Sequence, residues 1–184
     1  KGKKVGCVNV HLYRPFAKEH LFKVLPQTVK RIAVLDRTKE PGSIGEPLYL
    51  DIKSAFYGVK GAPFIIGGRY GLSSKDTTPD LINAVYCNLK AEQPKDHFVI
   101  GINDDIDHTS LEVTESIDVC DPTTTELLFF GLGSDGTVGA CKNISKIVGD
   151  YTEYYSQSYA AYDSKKSGGS TRLHLRFSKK PIRS

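Results

Sequence analysis

Short apolar runs alternate with amphipathic stretches along the first 105 residues. Four of these runs are apolar throughout or at every second position, which is typical of β-strands: Val5–Tyr13, Arg31–Asp36, Pro63–Gly68 and His97–Ile102. Apolar residues at helical spacing follow Pro15, Pro47 and Pro79, and proline is favoured in the first turn of a helix. Strands separated by helices of this length predict a parallel sheet with right-handed crossovers.

A second unit of mixed pattern follows a polar, irregular stretch at residues 108–125. In it a glycine-rich turn separates an apolar run from a helical pattern that we expect to end at Gly149. The strands predicted for this unit are Leu127–Phe130, Tyr159–Tyr162 and Leu173–Phe177. The sequence therefore predicts an α/β chain with two domains. Residues 1–120 form a parallel-sheet domain, and residues 121–184 form a second α/β unit.

Basic residues are concentrated at one end of the chain. The sequence has 25 Lys and Arg against 21 Asp and Glu, a net charge of +4. Residues 164–184 hold seven of the cations and no acid, which leaves 18 basic against 21 acidic residues, a net charge of −3, in the first 163. This distribution disfavours a uniformly basic surface, so we expect no nucleic-acid partner. No apolar run is long enough for a membrane helix, so we expect no membrane partner either.

Methionine is absent, and the cysteines are far apart. We interpret the missing start residue as a sign that the sequence is a piece of a longer polypeptide. The four cysteines form no Cys-x-x-Cys pair, so we expect neither zinc nor iron–sulfur ligation within the chain. Reduced, mostly buried thiols in an intracellular protein are the simplest interpretation.

The strongest local motif is Gly131–Gly139, which contains G-x-G-x-x-G between a predicted strand and a predicted helix. Glycines in this context let backbone N–H groups approach an anion at a helix N-terminus. A dinucleotide site, a phosphate or pyrophosphate cradle and a purely structural turn all remain open. The dinucleotide site requires an acid about 20 residues further on, whereas Asp163 lies 27 residues after Gly136.

A second anion-type signal is Lys165–Gly169, in which two lysines precede a serine and two glycines. Lysine supplies a point charge to phosphate, and serine and glycine supply donors and close backbone approach. In a doubly wound unit this loop would lie beside the glycine-rich turn. The alternative is a solvated lysine and glycine hairpin.

Charged residues also follow the strands predicted for the first domain. Because the carboxyl ends of parallel strands meet at one edge of a sheet, these charges predict an edge that faces a partner or ligand. Asn103–His108 resembles a site for a hard cation but lacks the register of a calcium loop, and turn formation is the alternative. Arg69–Asp76 either contacts a partner or is held by an Arg–Asp network.

Several uninterrupted strings are shared, in the same order and over nearly the whole chain, with one enzyme family. They are Arg31–Gly42, Gly45–Tyr49, Gly67–Pro79, Gly101–Asp105, Gly131–Ala140, Ala161–Gly169 and His174–Phe177. On these strings the chain resembles the single-chain pyruvate:ferredoxin (flavodoxin) oxidoreductases. Long collinear strings are far more specific than an isolated G-x-G-x-x-G.

The resemblance implies a division of roles. Residues 1 to about 120 are similar to a transketolase C-terminal-like domain that lacks its first strand and helix. Residues from about 125 are similar to the start of the gamma-type domain, which the family associates with coenzyme A. The whole enzyme uses thiamine diphosphate, magnesium and 4Fe–4S iron–sulfur clusters to convert pyruvate oxidatively to acetyl-CoA and CO2 in anaerobic metabolism. This chain would be scaffold plus part of the coenzyme A site, inactive alone, with no catalytic residue, metal ligand or other cofactor.

The resemblance also assigns the residues that handle the anionic groups of coenzyme A. They are Ser134, Asp135, Gly136, Thr137, Val138, Gly139, Lys142, Asn143, Lys165, Lys166, Ser167 and Gly168. One departure lies in Cys141–Ser145, where the family pattern is Asn-Lys-Asn-Ser-Ile. The inverted pair Ile144 and Ser145 moves an apolar residue one step around the helix and leaves the glycine turn unchanged.

The expected partners are the remaining domains of the parent enzyme, coenzyme A, and ferredoxin or flavodoxin through other domains. The parent is expected to be a homodimer in the cytoplasm or in a reducing organelle such as a hydrogenosome. Two alternatives remain open. One is a scaffold module of an NADP-linked or sulfite-reducing flavoprotein, and the other is a polyanion-binding module that uses the basic segment.

Overall fold

A computed structural model describes residues 4–119, 121–163 and 168–182. The chain divides into two compact units, residues 1–118 (unit 1) and residues 119–184 (unit 2). Within the described residues, no helix is both long and apolar enough to cross a membrane.

Unit 1 alternates helices with short strands. Its elements are α1 Lys18–Val24, β1 Arg31–Asp36, α2 Pro47–Phe56, β2 Phe64–Arg69, a 3₁₀ turn Leu72–Ser74, α3 Pro79–Lys90 and β3 Phe98–Val99. Proline occupies the first turn of both α2 and α3, as predicted. The strands form a parallel sheet in the order β1-β2-β3, which confirms the predicted parallel sheet.

The sheet of unit 1 is covered on both faces. On one face Val34 and Ile65 pack against Tyr49 and Ile52 of α2. On the other face the buried cluster consists of Ile66, Val85, Phe98 and Ile100, of which Val85 belongs to α3. Apolar side chains on both faces of one strand explain why β1 and β2 read as continuous apolar runs in the sequence.

Two consecutive glycines in β2 let aromatic rings approach the sheet from opposite sides. A Cβ atom on Gly67 would lie 2.9 Å from the ring of Tyr49, and a Cβ atom on Gly68 would overlap the ring of Phe98. Glycine is required at both positions because the rings of Tyr49 and Phe98 occupy the space that side chains of β2 would need.

The predicted strand at Val5–Tyr13 is wrong. Residues 4–13 are described, and they form no strand pair. This segment is instead fixed by the hydroxyl of Tyr86, which donates a hydrogen bond to the carbonyl of Gly6 at 3.0 Å. Apolar alternation makes a segment suitable for a sheet, but a strand also needs a partner backbone, and this segment meets none among β1–β3.

The fourth predicted strand of the first domain is shorter than expected, because only Phe98 and Val99 pair with β2. The segment that follows Asp107 returns alongside it. The N–H of Val99 donates to Thr109, and the N–H of Leu111 donates to Val99, each at 3.0 Å. An isolated parallel bridge therefore extends the edge of the sheet.

Unit 2 consists of one helix and three strands among its described residues. They are β4 Thr125–Leu132, α4 Thr137–Tyr151, β5 Tyr155–Tyr162 and β6 Ser170–Ser178. Gly149 lies inside α4, so the prediction that it ends the helix is wrong. The backbone of the last turn continues to Tyr151, and the N–H of Thr152 still donates to Val148.

The sheet of unit 2 is antiparallel, in the order β4-β6-β5. It is not doubly wound, although the chain retains the mixed α/β character predicted for it. The residues between β5 and β6 connect neighbouring antiparallel strands, and a connection of this length suits a hairpin better than a crossover. Helix α4 packs on one face of the sheet, where Cys141, Leu173, Leu175 and Phe177 form the buried core.

Candidate functional site

The glycine-rich turn joins the end of β4 to the start of α4. The N–H of Gly133 donates a hydrogen bond to the carbonyl of Gly169 at 3.2 Å. This contact brings the turn against the end of the connection between β5 and β6, because β4 and β6 are antiparallel neighbours. Lys165, Lys166 and Ser167 of that connection lie outside the described residues, and Gly168 is exposed with a φ of +70°.

Asp135 organises the turn from within. Its Oδ2 accepts the N–H of Leu132 at 2.8 Å, and its Oδ1 accepts the N–H of Thr137 at 2.9 Å. The hydrogen bond from Thr137 is the main reason that the pKa of Asp135 is lowered. The sequence places Asp135 among the residues that handle anions, whereas in the structure its carboxylate occupies two of the amide donors of the turn.

Steric constraints explain the glycine at the start of the turn. A Cβ atom on Gly131 would lie 2.7 Å from the side chain of Thr137 and 3.0 Å from a carboxylate oxygen of Asp135. The turn also contains Ser134 at φ +67° and Gly136 at φ +86°. Two left-handed residues reverse the chain within a few positions, and only the second of them, Gly136, is a glycine that accommodates this φ without strain.

The first turn of α4 retains amide groups that precede the helical hydrogen bonds. Its first backbone bond runs from the N–H of Ala140 to the carbonyl of Gly136, so Val138 and Gly139 lie before it. These N–H groups point out of the helix N-terminus, where the aligned peptide dipoles favour negative charge. Lys142 and Asn143 are exposed on the next turn of the same helix.

The inverted pair in α4 is compatible with the packing of the helix. Ile144 packs against the buried core of unit 2. Ser145 donates a hydrogen bond from its hydroxyl to that of Ser156 at 3.0 Å, and its carbonyl accepts from the same residue at 3.0 Å. The order of the two residues therefore places the apolar side chain inward and uses the polar one to join α4 to β5.

Charged residues at the carboxyl edge of unit 1 serve the fold. Asp36 accepts the N–H groups of Leu48 and Tyr49, each at 3.0 Å, at the start of α2. Burial raises the pKa of Asp36. Arg69 lies 3.7 Å from the buried carboxylate of Glu46. The acid beside Arg69 is therefore a glutamate that precedes α2, and among the described contacts Arg69 takes part in no Arg–Asp pair of the kind predicted.

The Asn103–His108 segment behaves as a turn. Asp104 accepts the N–H groups of Ile106 and Asp107, and it also accepts both the N–H and the hydroxyl of Thr109. These hydrogen bonds lower the pKa of Asp104. The described part of the chain contains no group of three His, Cys, Asp or Glu side chains arranged to hold a metal ion. Of the three described cysteines, Cys141 is buried, whereas Cys7 and Cys87 are exposed.

A groove of about 620 Å³ lies at the N-terminus of α3 in unit 1. Its lining includes Lys75, Asp76, Asp80 and Glu112. Because acids outnumber the lysine there, the groove lacks the positive character that would mark a phosphate site. In contrast to this groove, the turn before α4 combines helix amides with the cation of Lys142 on the next turn of the helix.

Two family models match the chain. One, described as pyruvate ferredoxin/flavodoxin oxidoreductase, matches residues 126–184, and the other, described as pyruvate:ferredoxin oxidoreductase core domain II, matches residues 1–82. The chain belongs to the pyruvate:ferredoxin/flavodoxin oxidoreductase family. The resemblance based on collinear strings is thereby confirmed.

Curated relatives match the chain from end to end. It is 58% identical to a pyruvate-flavodoxin oxidoreductase of Enterobacter agglomerans and 58% identical to a pyruvate:ferredoxin oxidoreductase of Moorella thermoacetica, in each case over 100% of the chain. A pyruvate-flavodoxin oxidoreductase of Rhodospirillum rubrum is 48% identical over the same extent. The chain spans only 16% of the length of each of these relatives.

Proposed function

We propose that this chain is part of an enzyme that oxidatively decarboxylates pyruvate to acetyl-CoA and CO2 and transfers the electrons to ferredoxin or flavodoxin. The observation that carries the proposal is the 58% identity, over the whole chain, to relatives named for this activity. In the reaction, cleavage of the bond between the carboxylate and the carbonyl carbon releases CO2. The remaining two-carbon unit, which is at the oxidation level of acetaldehyde, gives up two electrons to ferredoxin or flavodoxin. It becomes the acetyl group of a thioester with coenzyme A, whose thiol loses its proton.

We assign the two units different roles in that enzyme. Unit 1 is the counterpart of a transketolase C-terminal-like domain and acts as scaffold, which agrees with the use of Asp36, Glu46 and Arg69 inside its own fold. Unit 2 is the start of the gamma-type domain and contributes to the coenzyme A site. In this assignment the chain has no catalytic residue and is inactive alone.

The proposed coenzyme A site is built on the turn before α4. The N–H groups of Val138 and Gly139 face the N-terminal end of the helix, and Lys142 and Asn143 follow one turn later. Coenzyme A carries a diphosphate and a 3′-phosphate, and helix amides with nearby cations suit such groups. The contact between Gly133 and Gly169 brings the residue that precedes β6 to the same turn.

In this site Asp135 holds the turn in shape and does not contact the ligand. Its carboxylate is already bonded to two amides. A carboxylate would also repel a phosphate at short range. The ligand would instead be bound by the amides of Ser134, Gly136, Val138 and Gly139 and by the side chains of Lys142, Asn143, Lys165, Lys166 and Ser167, while Thr137 and Gly168 shape the two loops.

Thiamine diphosphate, magnesium and the 4Fe–4S clusters are assigned to other parts of the parent enzyme. A cluster needs several cysteine thiolates close together, and the described cysteines are divided between two units, with one of them buried in the core. We further propose that the parent is a homodimer of anaerobic metabolism in the cytoplasm or a reducing organelle, and that it meets ferredoxin or flavodoxin through other domains.

The coenzyme A assignment is tested by calorimetric titration of coenzyme A into the parent enzyme and its Lys165→Ala/Lys166→Ala variant. Loss of two charge-assisted contacts should weaken binding about 10- to 100-fold. The variant Lys179→Ala/Lys180→Ala removes two exposed lysines from the same unit and should bind normally. Equal affinity of the wild type and the Lys165/Lys166 variant would remove these lysines from the site.

The activity itself is tested by pyruvate-dependent reduction of ferredoxin or flavodoxin by the parent enzyme, with and without coenzyme A. Turnover should depend on all three components. If pyruvate supports no reduction, and NADPH instead donates electrons or sulfite instead accepts them, the chain belongs to a flavoprotein scaffold of the kind considered above.

A polyanion-binding role has less support from the geometry. Two of the seven cations of the basic segment lie beside acids within unit 2, because Arg176 is 3.0 Å from Glu126 and Lys180 is 3.3 Å from Asp121. Salt-sensitive binding of DNA with an affinity similar to that for coenzyme A would favour this alternative.

A further inference from the structure

The sheet of unit 2 has a second face that α4 does not cover. We call it the outer face, and it consists of Glu126, Leu128, Phe130, Leu132, Gln157, Tyr159, Ala161, Arg172, His174 and Arg176. The strand register places Leu128, His174 and Tyr159 in one row across the sheet, and Phe130, Arg172 and Ala161 in the next. The intervening residues, including Leu173 and Leu175, point to the helix side and form the core.

Large apolar side chains on the outer face are exposed. Phe130 and Leu132 are each 69% exposed, and Leu128 and Tyr159 are each 48% exposed. Leu128, Phe130 and Leu132 project from the same side of β4 and form one apolar row, and Tyr159 projects from the same face of β5, with His174 of β6 between it and Leu128. Contiguous apolar patches of this kind mark interaction surfaces.

Strand β4 is apolar on both of its faces. Phe129 packs toward the helix-side core, whereas Leu128 and Phe130 point outward. A strand whose alternate residues are apolar on both sides is typical of a sheet that is buried on both faces, as β1 and β2 are in unit 1. An antiparallel sheet with one solvated face would instead show polar residues at every second position.

Polar groups on the outer face already interact within the face. Arg176 lies 3.0 Å from the carboxylate of Glu126. His174 stacks on Tyr159 with ring centroids 4.6 Å apart and planes inclined by 4°. A covering layer therefore does not need to present an opposite charge to these four groups. It would need a polar group opposite the exposed Arg172, which lies between Phe130 and Ala161.

We propose that the outer face is covered in the parent enzyme by a second layer of the same polypeptide, contributed by segments outside this chain. The relatives supply the material for that layer, because this chain accounts for only 16% of their length. A covalently linked segment has a high effective concentration and would occupy the face before a second copy or a foreign protein does. Domains are usually built from two or three packed layers, and this layer would lie opposite α4.

The layer is independent of the coenzyme A assignment, because it uses the outer face of the sheet and not the turn before α4. It makes unit 2 a sheet enclosed between α4 and a further element.

The experiment is hydroxyl-radical footprinting of the wild-type parent enzyme, read residue by residue by mass spectrometry. We expect Phe130 and Tyr159 to be oxidised roughly tenfold or more slowly in the native enzyme than in urea, as buried side chains are. Tyr151, which is 82% exposed at the end of α4, is the matched aromatic reference on the helix side. No mutation is needed, so a folding defect does not obscure the result.

Oxidation of Phe130 and Tyr159 in the native enzyme at the rate found in urea would overturn the proposal. Because the parent is proposed to be a homodimer, the footprint is compared between dimer and monomer, which sedimentation distinguishes on dilution. Protection that is lost in the monomer would overturn the assignment to the same polypeptide in favour of a second copy, and protection that persists in the monomer supports the intramolecular layer. A Phe130→Cys variant probed with a maleimide provides a second readout and should react slowly in the native enzyme.

Discussion

The two units of this chain cover their sheets in different ways. In unit 1 the parallel strands are enclosed by helices on both faces, with one buried cluster toward α2 and another toward α3. In unit 2 a single helix covers one face of an antiparallel sheet, and the other face exposes Leu128, Phe130 and Leu132. The comparison shows that the apolar pattern of a strand indicates how many of its faces are suited to burial. In β4 both faces are apolar, although a helix packs on only one of them.

The two units also use an aspartate in different ways at the start of a helix. Asp36 is buried and accepts two amides at the beginning of α2. Asp135 is exposed and accepts two amides within the turn that precedes α4. Burial raises the pKa of the first, whereas hydrogen bonding lowers the pKa of the second. An aspartate that accepts two backbone amides is therefore buried in unit 1 and exposed to solvent in unit 2.

The largest expected effect on stability comes from truncating one buried side chain in the core of each unit. Ile66→Ala and Leu175→Ala remove fully buried side chains and should each cost about 2–5 kcal/mol. If the two units are independent, hydrogen–deuterium exchange in the parent enzyme should accelerate in β1–β3 for the first variant and in β4–β6 for the second. Acceleration of both sheets by either variant would show that the units unfold together.

The next effect concerns the glycines. Gly68→Ala should destabilise unit 1 by about 1–3 kcal/mol, because the added methyl group overlaps the ring of Phe98 in a sheet that is closed on both faces. Gly149→Ala in α4 is the matched variant in unit 2. Its Cβ atom would make only an ordinary contact, 3.6 Å from Ser156, so alanine should stabilise the helix by about 0.5–1 kcal/mol. Urea titration followed by exchange would check both signs, and equal losses at the two sites would contradict the steric argument.

A smaller effect is expected from Asp36→Ala, which removes the acceptor for two amides at the start of α2. The loss should be about 1 kcal/mol, as for a helix cap, and should appear as faster exchange at Leu48 and Tyr49. Asp51→Ala provides a control, because Asp51 is outside this cap and contacts Tyr13 and the exposed Arg14 instead of the amides at the start of α2. Unchanged exchange at the start of α2 in Asp36→Ala would show that the helix needs no such acceptor.

The smallest effect is a difference in pH dependence between the two aspartates, with the Asn variants as references that do not titrate. Because the folded pKa of Asp36 is raised, the stability advantage of the wild type over Asp36→Asn should increase as pH falls through that pKa, until about pH 3.9, the ordinary pKa of Asp. Because the folded pKa of Asp135 is lowered, the advantage over Asp135→Asn should be present above about pH 3.9 and be lost as pH falls through the folded pKa. Exchange measured from pH 7 downward would check both slopes. Parallel slopes would contradict the assigned causes.

Some of the fold was predictable from local pattern alone. The proline starts of α2 and α3, the strand at Arg31–Asp36 and the glycine turn before α4 all follow from residues that are close in sequence. The antiparallel direction of β6 was not predictable, because apolar alternation specifies which face a side chain occupies and not the direction of the neighbouring strand. The missing strand at Val5–Tyr13 was not predictable either, because apolar alternation does not specify whether a segment meets a partner strand.

The candidate site was predictable only in part. The residue types of the glycine turn pointed to an anion, and helix amides do precede the first helical bond there. The role of Asp135 was not predictable, because whether a carboxylate binds a ligand, repels it or holds the loop depends on which amides it reaches. The spacing from Asp135 to Thr137 is the one local signal, since Asx turns commonly bond two residues ahead.

The sequence by itself determined most of the helices and strands, their amphipathic faces and the family, since each of these depends on residues that are adjacent or collinear along the chain. Only the tertiary structure decided the direction of the second sheet, the contact of Gly133 with Gly169, and the exposure of the outer face. The physical reason is that strand pairing and the packing of layers depend on contacts between segments that are distant in sequence. A local pattern does not specify which distant segment a strand or a sheet face will contact.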